Sequence, residues 1–173
     1  MKKILTQVTL LAALLLLVST QSQAQYYTGI GVRLGKFSSG LSAKYFFDAN
    51  NAKGLELFAG KTKIARGGYI GRLLYVNQTP CTMPLLQIPL DIVFGGGAHA
   101  AYFPKGYYRL RDGELIPYGD RIFCAGIDAV LGVEYKVPIA PLTLGIDVNP
   151  FLDLLNPGPE YLDFSLAIRY VFE

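Results

Sequence analysis

Asp163-Phe164-Ser165-Leu166-Ala167-Ile168-Arg169-Tyr170-Val171-Phe172-Glu173 ends the 173-residue sequence, and its alternation decides the fold. Phe164, Leu166, Ile168, Tyr170 and Phe172 take every second position, with Ser165, Ala167, Arg169 and Val171 between them. In a pleated strand successive side chains point to opposite faces, so the first set forms one wholly apolar face that ends in aromatics. The second forms a face of small side chains carrying a single arginine.

The same alternation recurs about eight times, between clusters of Gly, Asn, Asp, Pro and Lys that read as turns. Tyr26, Thr28, Ile30, Val32 and Leu34 share the apolar face of the first strand, and Leu41, Ala43, Tyr45 and Phe47 that of the second. Leu55, Leu57 and Ala59 mark the third, and Tyr69, Gly71, Leu73 and Tyr75 the fourth. The longest apolar face runs from Leu90 to Tyr102, opposite Asp91, Val93, Gly95, Gly97, His99 and Ala101. Ile127 to Tyr135 and Leu142 to Val148 supply two more before the closing strand. Turns are expected at residues 36–40 and Pro138–Pro141. A longer connection is expected from Val76 to Pro89, which contains three prolines.

Residues 1–24 read as a signal peptide, leaving 25–173 as one domain. Lys2 and Lys3 precede an apolar run from Val8 to Val18, interrupted only by Thr9, and Ser22-Gln23-Ala24 supplies small residues for cleavage. That run is well short of the roughly 20 residues a spanning helix needs. Without these two lysines, the segment's only charged side chains, the formal charge falls from +3 to +1, so no nucleic-acid partner is implied. No later apolar run is long enough for a spanning helix, and any crossing of a membrane falls to strands.

Alternating strands with one apolar face fit a soluble barrel with that face inward or a membrane barrel with it outward. Gly29, Gly31, Gly95, Gly97, Gly126, Gly132, Gly145 and Ala167 crowd the polar face, as a narrow, filled lumen requires. If strand one starts in the periplasm, Tyr26, Tyr45, Phe47, Tyr75, Tyr135, Tyr170 and Phe172 all fall at the periplasmic end of the apolar face. Tyr69 and Tyr102 fall at the other rim, and rings at both rims are the pattern of interfacial girdles. The expectation is an all-β, antiparallel transmembrane barrel of about eight strands, too narrow for a continuous pore.

The inward face then holds Arg33, Lys44, Arg72, Lys136 and Arg169 against Glu56, Asp91, Asp128, Glu134 and Asp147, together with His99. Buried charges cost several kcal/mol unless paired, so a structural network is the plain reading.

The chain resembles the small outer-membrane β-barrels, OmpX-like and similar to the OmpA transmembrane domain, of the type common in Bacteroidetes. The resemblance rests on Gly95-Gly96-Gly97-Ala98-His99, Gly126-Ile127-Asp128, Gly132-Val133-Glu134-Tyr135-Lys136, Asp147-Val148-Asn149-Pro150 and Arg169-Tyr170-Val171-Phe172. It implies the cell outer membrane as location, with Phe164, Leu166, Ile168, Tyr170 and Phe172 as the signal read by the barrel-assembly machinery. Glu173 departs from that pattern, in which the aromatic is last. No cofactor, metal or agreed activity comes with the resemblance.

Asp112-Gly113 is a hairpin turn signal between the fifth and sixth strands. A two-residue turn there pairs residues whose numbers sum to 225, setting Tyr102 opposite Phe123 and Asp91 opposite Glu134. The strands would then continue past the membrane as a ribbon open to partners, the alternative being a floppy external loop. Asp91 and Glu134 would repel unless a cation such as Arg72 or Lys136 lies between them or one of them keeps its proton. The same register sets His99 beside Asp128, a pair able to do acid-base work. A lipid A hydrolase or acyltransferase is therefore the enzymatic alternative, although no serine stands beside His99. Lys61, Lys63 and Arg66 form a basic outer loop able to touch lipopolysaccharide phosphates. Cys81, in a periplasmic turn, and Cys124, near the outer rim, are too far apart for a disulfide. The favoured function is a non-enzymatic barrel, structural or binding through its loops and ribbon. A secreted soluble barrel holding a small apolar ligand survives only if the apolar face turns inward.

Overall fold

The computed structural model describes residues 28–48, 53–63, 68–82, 89–104, 106–109, 115–118, 121–156 and 160–172. The expected leader and its cleavage site, Tyr26, Arg66 and the Asp112-Gly113 turn lie outside these residues.

Alternating sequence becomes alternating burial. Among the described residues ten strands form: β1 (Thr28–Gly35), β2 (Ser38–Asp48), β3 (Lys53–Thr62), β4 (Tyr69–Thr82), β5 (Pro89–Phe103), β6 (Gly106–Arg109), β7 (Leu115–Tyr118), β8 (Ile122–Val137), β9 (Leu142–Leu155) and β10 (Leu162–Phe172). Eight of them close into an antiparallel barrel in the order β1-β10-β9-β8-β5-β4-β3-β2. The seam is β10 on β1, in register from Thr28 opposite Phe172 to Gly35 opposite Ser165. Every barrel strand thus has two neighbours, and closure removes the free-running edge of an open sheet.

The apolar face points outward all round. Phe164, Leu166, Ile168, Tyr170 and Phe172 are 47–57% exposed, while Ser165, Ala167, Arg169 and Val171 are buried. A soluble barrel with a greasy interior is therefore not what the chain forms. Outward aromatics sit at both rims: Tyr45, Phe47, Tyr75, Tyr135, Tyr170 and Phe172 toward the end holding Thr28 and Phe172, and Tyr69, Tyr102 and Phe123 toward the ribbon end. Tyr170 and Phe172 meet edge to face at 5.0 Å, and Tyr45 and Phe47 at 5.9 Å.

Several strands run further than their composition suggests. β4 continues through Val76 to Thr82, so the expected Val76–Pro89 connection contracts to residues 83–88. Beyond Asn77, β4 has β5 on one side and no β3 residue on the other, and Pro80 at such an edge has no ladder hydrogen bond to lose. Cys81 accordingly lies in a strand, opposite Leu90, rather than in a turn. β9 runs past Pro150 to Leu155. Its ladder to β8 skips that point, where the Asn149 side chain donates to the Ala129 carbonyl at 3.3 Å. The first turn is shorter than expected, only Lys36 and Phe37, because Asp163 holds Phe37 N at 2.9 Å and Ser38 Oγ at 2.6 Å.

The 225 register holds throughout the β5–β8 pairing, including Tyr102 opposite Phe123. In the ribbon, Gly106 faces Tyr118 and Arg109 faces Leu115, a register shorter by one. One extra residue therefore lies on the β8 side, between Tyr118 and Ile122, and a two-residue turn does not set the ribbon's register.

Candidate functional site

Inside the barrel the side chains stack in layers. Toward the end bearing Thr28 and Phe172, Phe46, Leu74, Val76, Val93, Val130 and Val171 form an apolar cluster. Toward the ribbon, Phe37, Phe58, Ile70, Ala101, Phe103, Cys124 and Phe151 form another. Between them lie the charges.

Two arginines from adjacent strands, Arg33 on β1 and Arg169 on β10, organise the first group. Arg169 donates to Ser42 Oγ at 3.0 Å, Glu134 Oε2 at 3.1 Å and Glu56 Oε1 at 2.7 Å. Arg33 donates to Ser165 Oγ at 2.7 Å and Glu56 Oε1 at 3.3 Å, and also to Asn149 Oδ1, with Asp147 Oδ2 at 3.5 Å. Lys44 Nζ reaches Glu134 Oε2 at 2.8 Å. Each carboxylate in this layer thus faces at least one cation within about the range where low dielectric makes pairing strong. Glycine makes the room. A Cβ on Gly126 would stand 2.8 Å from His99 Cε1, too close for any side chain without a shift.

The second group lies toward the ribbon. Ser42, Phe58, Arg72, His99, Gly126 and Asp153 occupy one continuous cross-strand row through β2, β3, β4, β5, β8 and β9. Arg72 lies among aromatic rings, 5.2 Å from the centroid of Phe151 and 5.9 Å from that of Phe58. It donates to Asp163 Oδ2 at 3.3 Å, and its Nε faces Asp128 Oδ2 at 3.8 Å. His99 Nδ1 is 2.9 Å from Asp128 Oδ1 and its Nε2 is 2.8 Å from Asp153 Oδ1. A ring facing two carboxylates satisfies both by donating from both nitrogens.

The placement of the sequence-derived set is therefore uneven. Arg33, Lys44, Glu56, Arg72, His99, Asp128, Glu134, Asp147 and Arg169 are buried inside, in the two groups just described. Asp91 and Lys136 are half-buried toward the Thr28–Phe172 end. Asp91 does stand opposite Glu134, but Arg72, one of the two cations expected there, lies elsewhere. Glu134 is held by Lys44 and Arg169, while Asp91 accepts from Gln78 Nε2 at 2.7 Å. Arg72 is committed to Asp128 and Asp163 instead.

Asp153 and Asp163 were missed by the sequence reading, as were the uncharged partners Ser42, Gln78, Asn149 and Ser165. Asp163 is in phase with Ser165 and Arg169, so alternation carried the signal. Asp153 is in phase with Asn149, but a strand stopped at Pro150 hides it. Lys61 belongs to β3 rather than to a loop, with its Nζ 5.6 Å from the Tyr69 ring centroid. Cys124 and Cys81 are free. They face Ala101 and Leu90, eleven positions apart along β5, or about 36 Å at roughly 3.3 Å per residue. Among the described residues no group of three or more His, Cys, Asp or Glu side chains is placed to hold a metal.

No protein-family profile and no curated protein matches the chain. Among solved structures it is similar to the N-terminal β-barrel domain of Pseudomonas aeruginosa OprF, with a TM-score of 0.63 and 13% identity, over 86% of this chain and 98% of that one. At that identity the likeness extends to the fold: a closed, eight-stranded, antiparallel barrel.

Proposed function

We propose that this chain is an outer-membrane β-barrel without enzymatic activity, which serves the envelope structurally or binds through its external ribbon and loops. The observation that carries the reading is the barrel's inversion: an apolar exterior with aromatic rims around an interior of paired charges. Water offers no reason to expose so much apolar surface, whereas hydrocarbon does. The dimensions agree. Along β8 the outward residues from Phe123 to Tyr135 cover twelve steps, about 40 Å of strand. At a usual tilt near 40° this projects to about 30 Å, the thickness of a bilayer core. The end bearing Thr28 and Phe172 then faces the periplasm and the ribbon faces out. Outer-membrane lipid surrounds the wall, the barrel-assembly machinery reads β10, and extracellular protein or lipopolysaccharide is the partner class at the ribbon end.

The enzymatic alternative, a lipid A hydrolase or acyltransferase, would require His99 to take a proton from a nucleophile. Both of its nitrogens are engaged by carboxylates inside the lumen, away from lipid. Fractionation of the native host, followed by gel mobility with and without boiling, tests the reading. Recovery in the outer membrane with a heat-dependent shift is the expected result. Recovery as a soluble protein would refute it.

A further inference from the structure

The outer wall is not uniform beneath its ribbon-end rim. Lys61, Tyr69, Tyr102 and Phe123 are mutual neighbours across β3, β4, β5 and β8, and all four point outward. The next outward row toward the middle of the wall is Ala59, Gly71, Ala100 and Ala125, four small residues side by side. Below it the bulk returns on three of the four strands, where Leu57, Leu73 and Ile127 share a row with Ala98. A groove of about 510 Å³ remains along the small-residue row, roofed by the aromatic rings.

Cations stand over this roof. The Lys61 ammonium lies against the Tyr69 ring, and Lys63 and Arg121 are exposed beyond it toward the ribbon. None of the residues in the two rows is acidic. Lys61 lies on β3 and Arg121 immediately precedes β8, three strand spacings away, about 14 Å at roughly 4.8 Å per strand. A single phosphate reaches one of these positions; two phosphates held apart by a disaccharide reach both.

We infer that this groove seats an acyl chain of a diphosphorylated glycolipid of the lipid A class, with Lys61 and Arg121 receiving its two phosphates. The inference rests on the outer-membrane reading, which sets this rim at the headgroups of the outer leaflet. Chain and headgroup supply different halves of the recognition. The groove removes apolar surface from a lipid tail without asking a bulky side chain to move, and the cations select the phosphates.

The test uses the full protein, purified in its heat-modifiable form and titrated in detergent with diphosphoryl lipid A, monophosphoryl lipid A or phosphatidylglycerol, with bound lipid counted by native mass spectrometry. One diphosphoryl lipid A per barrel is expected, bound at least tenfold more tightly than phosphatidylglycerol, with the monophosphoryl form between them. Lys61→Gln weakens lipid A binding about tenfold and Lys61→Arg restores it. Gly71→Leu fills the groove and weakens binding similarly. A Cβ there meets nothing closer than the Phe58 carbonyl oxygen, at 3.9 Å, so the barrel has room for the substitution. Heat-dependent mobility of each variant reports that it has folded, and Ala100→Phe replaces Gly71→Leu if that variant fails. Equal affinity for lipid A and phosphatidylglycerol overturns the assignment and leaves the membrane barrel standing. So does lipid A binding that neither Lys61→Gln nor groove filling alters. Absence of a heat-dependent shift in the unmodified protein overturns both readings.

Discussion

Arg169 shows what a charged residue costs and returns in this interior. Its guanidinium spans Glu56, Glu134 and Ser42 from one position on β10. Removing it leaves two carboxylates facing one another with less compensation, in a place that water does not reach. Arg169→Met should therefore destabilise the barrel by about 3–5 kcal/mol, the usual cost of breaking a buried pair from one side. The measurement is the urea midpoint of the heat-modifiable band; a loss below about 1 kcal/mol would mean that the network rearranges around the gap. Asp163 gives a sharper contrast. It accepts from Phe37 N and Ser38 Oγ and faces Arg72, tying the β1–β2 turn to β10. Asp163→Asn keeps an acceptor for the backbone N–H and loses the charge, whereas Asp163→Ala loses both. The alanine variant should be the less stable, by at least the roughly 1–3 kcal/mol of an orphaned buried donor. Equal midpoints for the two would show that the turn does not depend on this side chain.

The strand is the scale at which the sequence was most legible, and the reason is physical. A period of two fixes which residues share a face even when the ends of the strand are misjudged, so the charges read as inward lie on the inner side, while Asp153 and Asp163 went unassigned. The ends were misjudged at Pro80 and Pro150, where tertiary context leaves proline nothing to disrupt. Which inward charges meet was legible only where strand register decides it, as for His99 beside Asp128. Lys44 and Glu134 are 90 residues apart and meet across the lumen rather than along a strand pair. That contact depends on how the closed sheet is staggered, which no local pattern encodes. The expectation of Arg72 beside Asp91 and Glu134 failed for this reason. The ribbon offers a test of independence between elements. β6 and β7 pair only with each other as a two-stranded sheet, while β5 and β8 stay in register up to Phe103 opposite Ile122. Replacing residues 104–121 with Asn-Gly, a turn suited to a two-residue hairpin, should leave the barrel folded and heat-modifiable. Loss of the folded band would make the ribbon part of the barrel's stability rather than an appendage.

At the scale of the whole molecule, the order of the layers decides what can pass through. A charged lumen alone would suggest a path for ions, since Lys44, Glu56, Glu134 and Arg169 line it together. Their layer is closed on one side by Phe46, Leu74, Val76, Val93, Val130 and Val171, and on the other by the cluster that includes Phe37, Phe103 and Phe151. An ion leaving the charged layer would have to shed its water and enter an apolar plug, a cost of several kcal/mol at least. The charges are also already neutralised by one another, so they offer an incoming ion little in return. The barrel should therefore produce no discrete conductance steps in a planar bilayer at voltages that leave it folded. Arg169→Met should behave likewise, because weakening the central layer leaves both plugs in place. Stable steps from the unmodified protein would require the apolar clusters to open, and would assign to this barrel a transport role that its layered interior argues against.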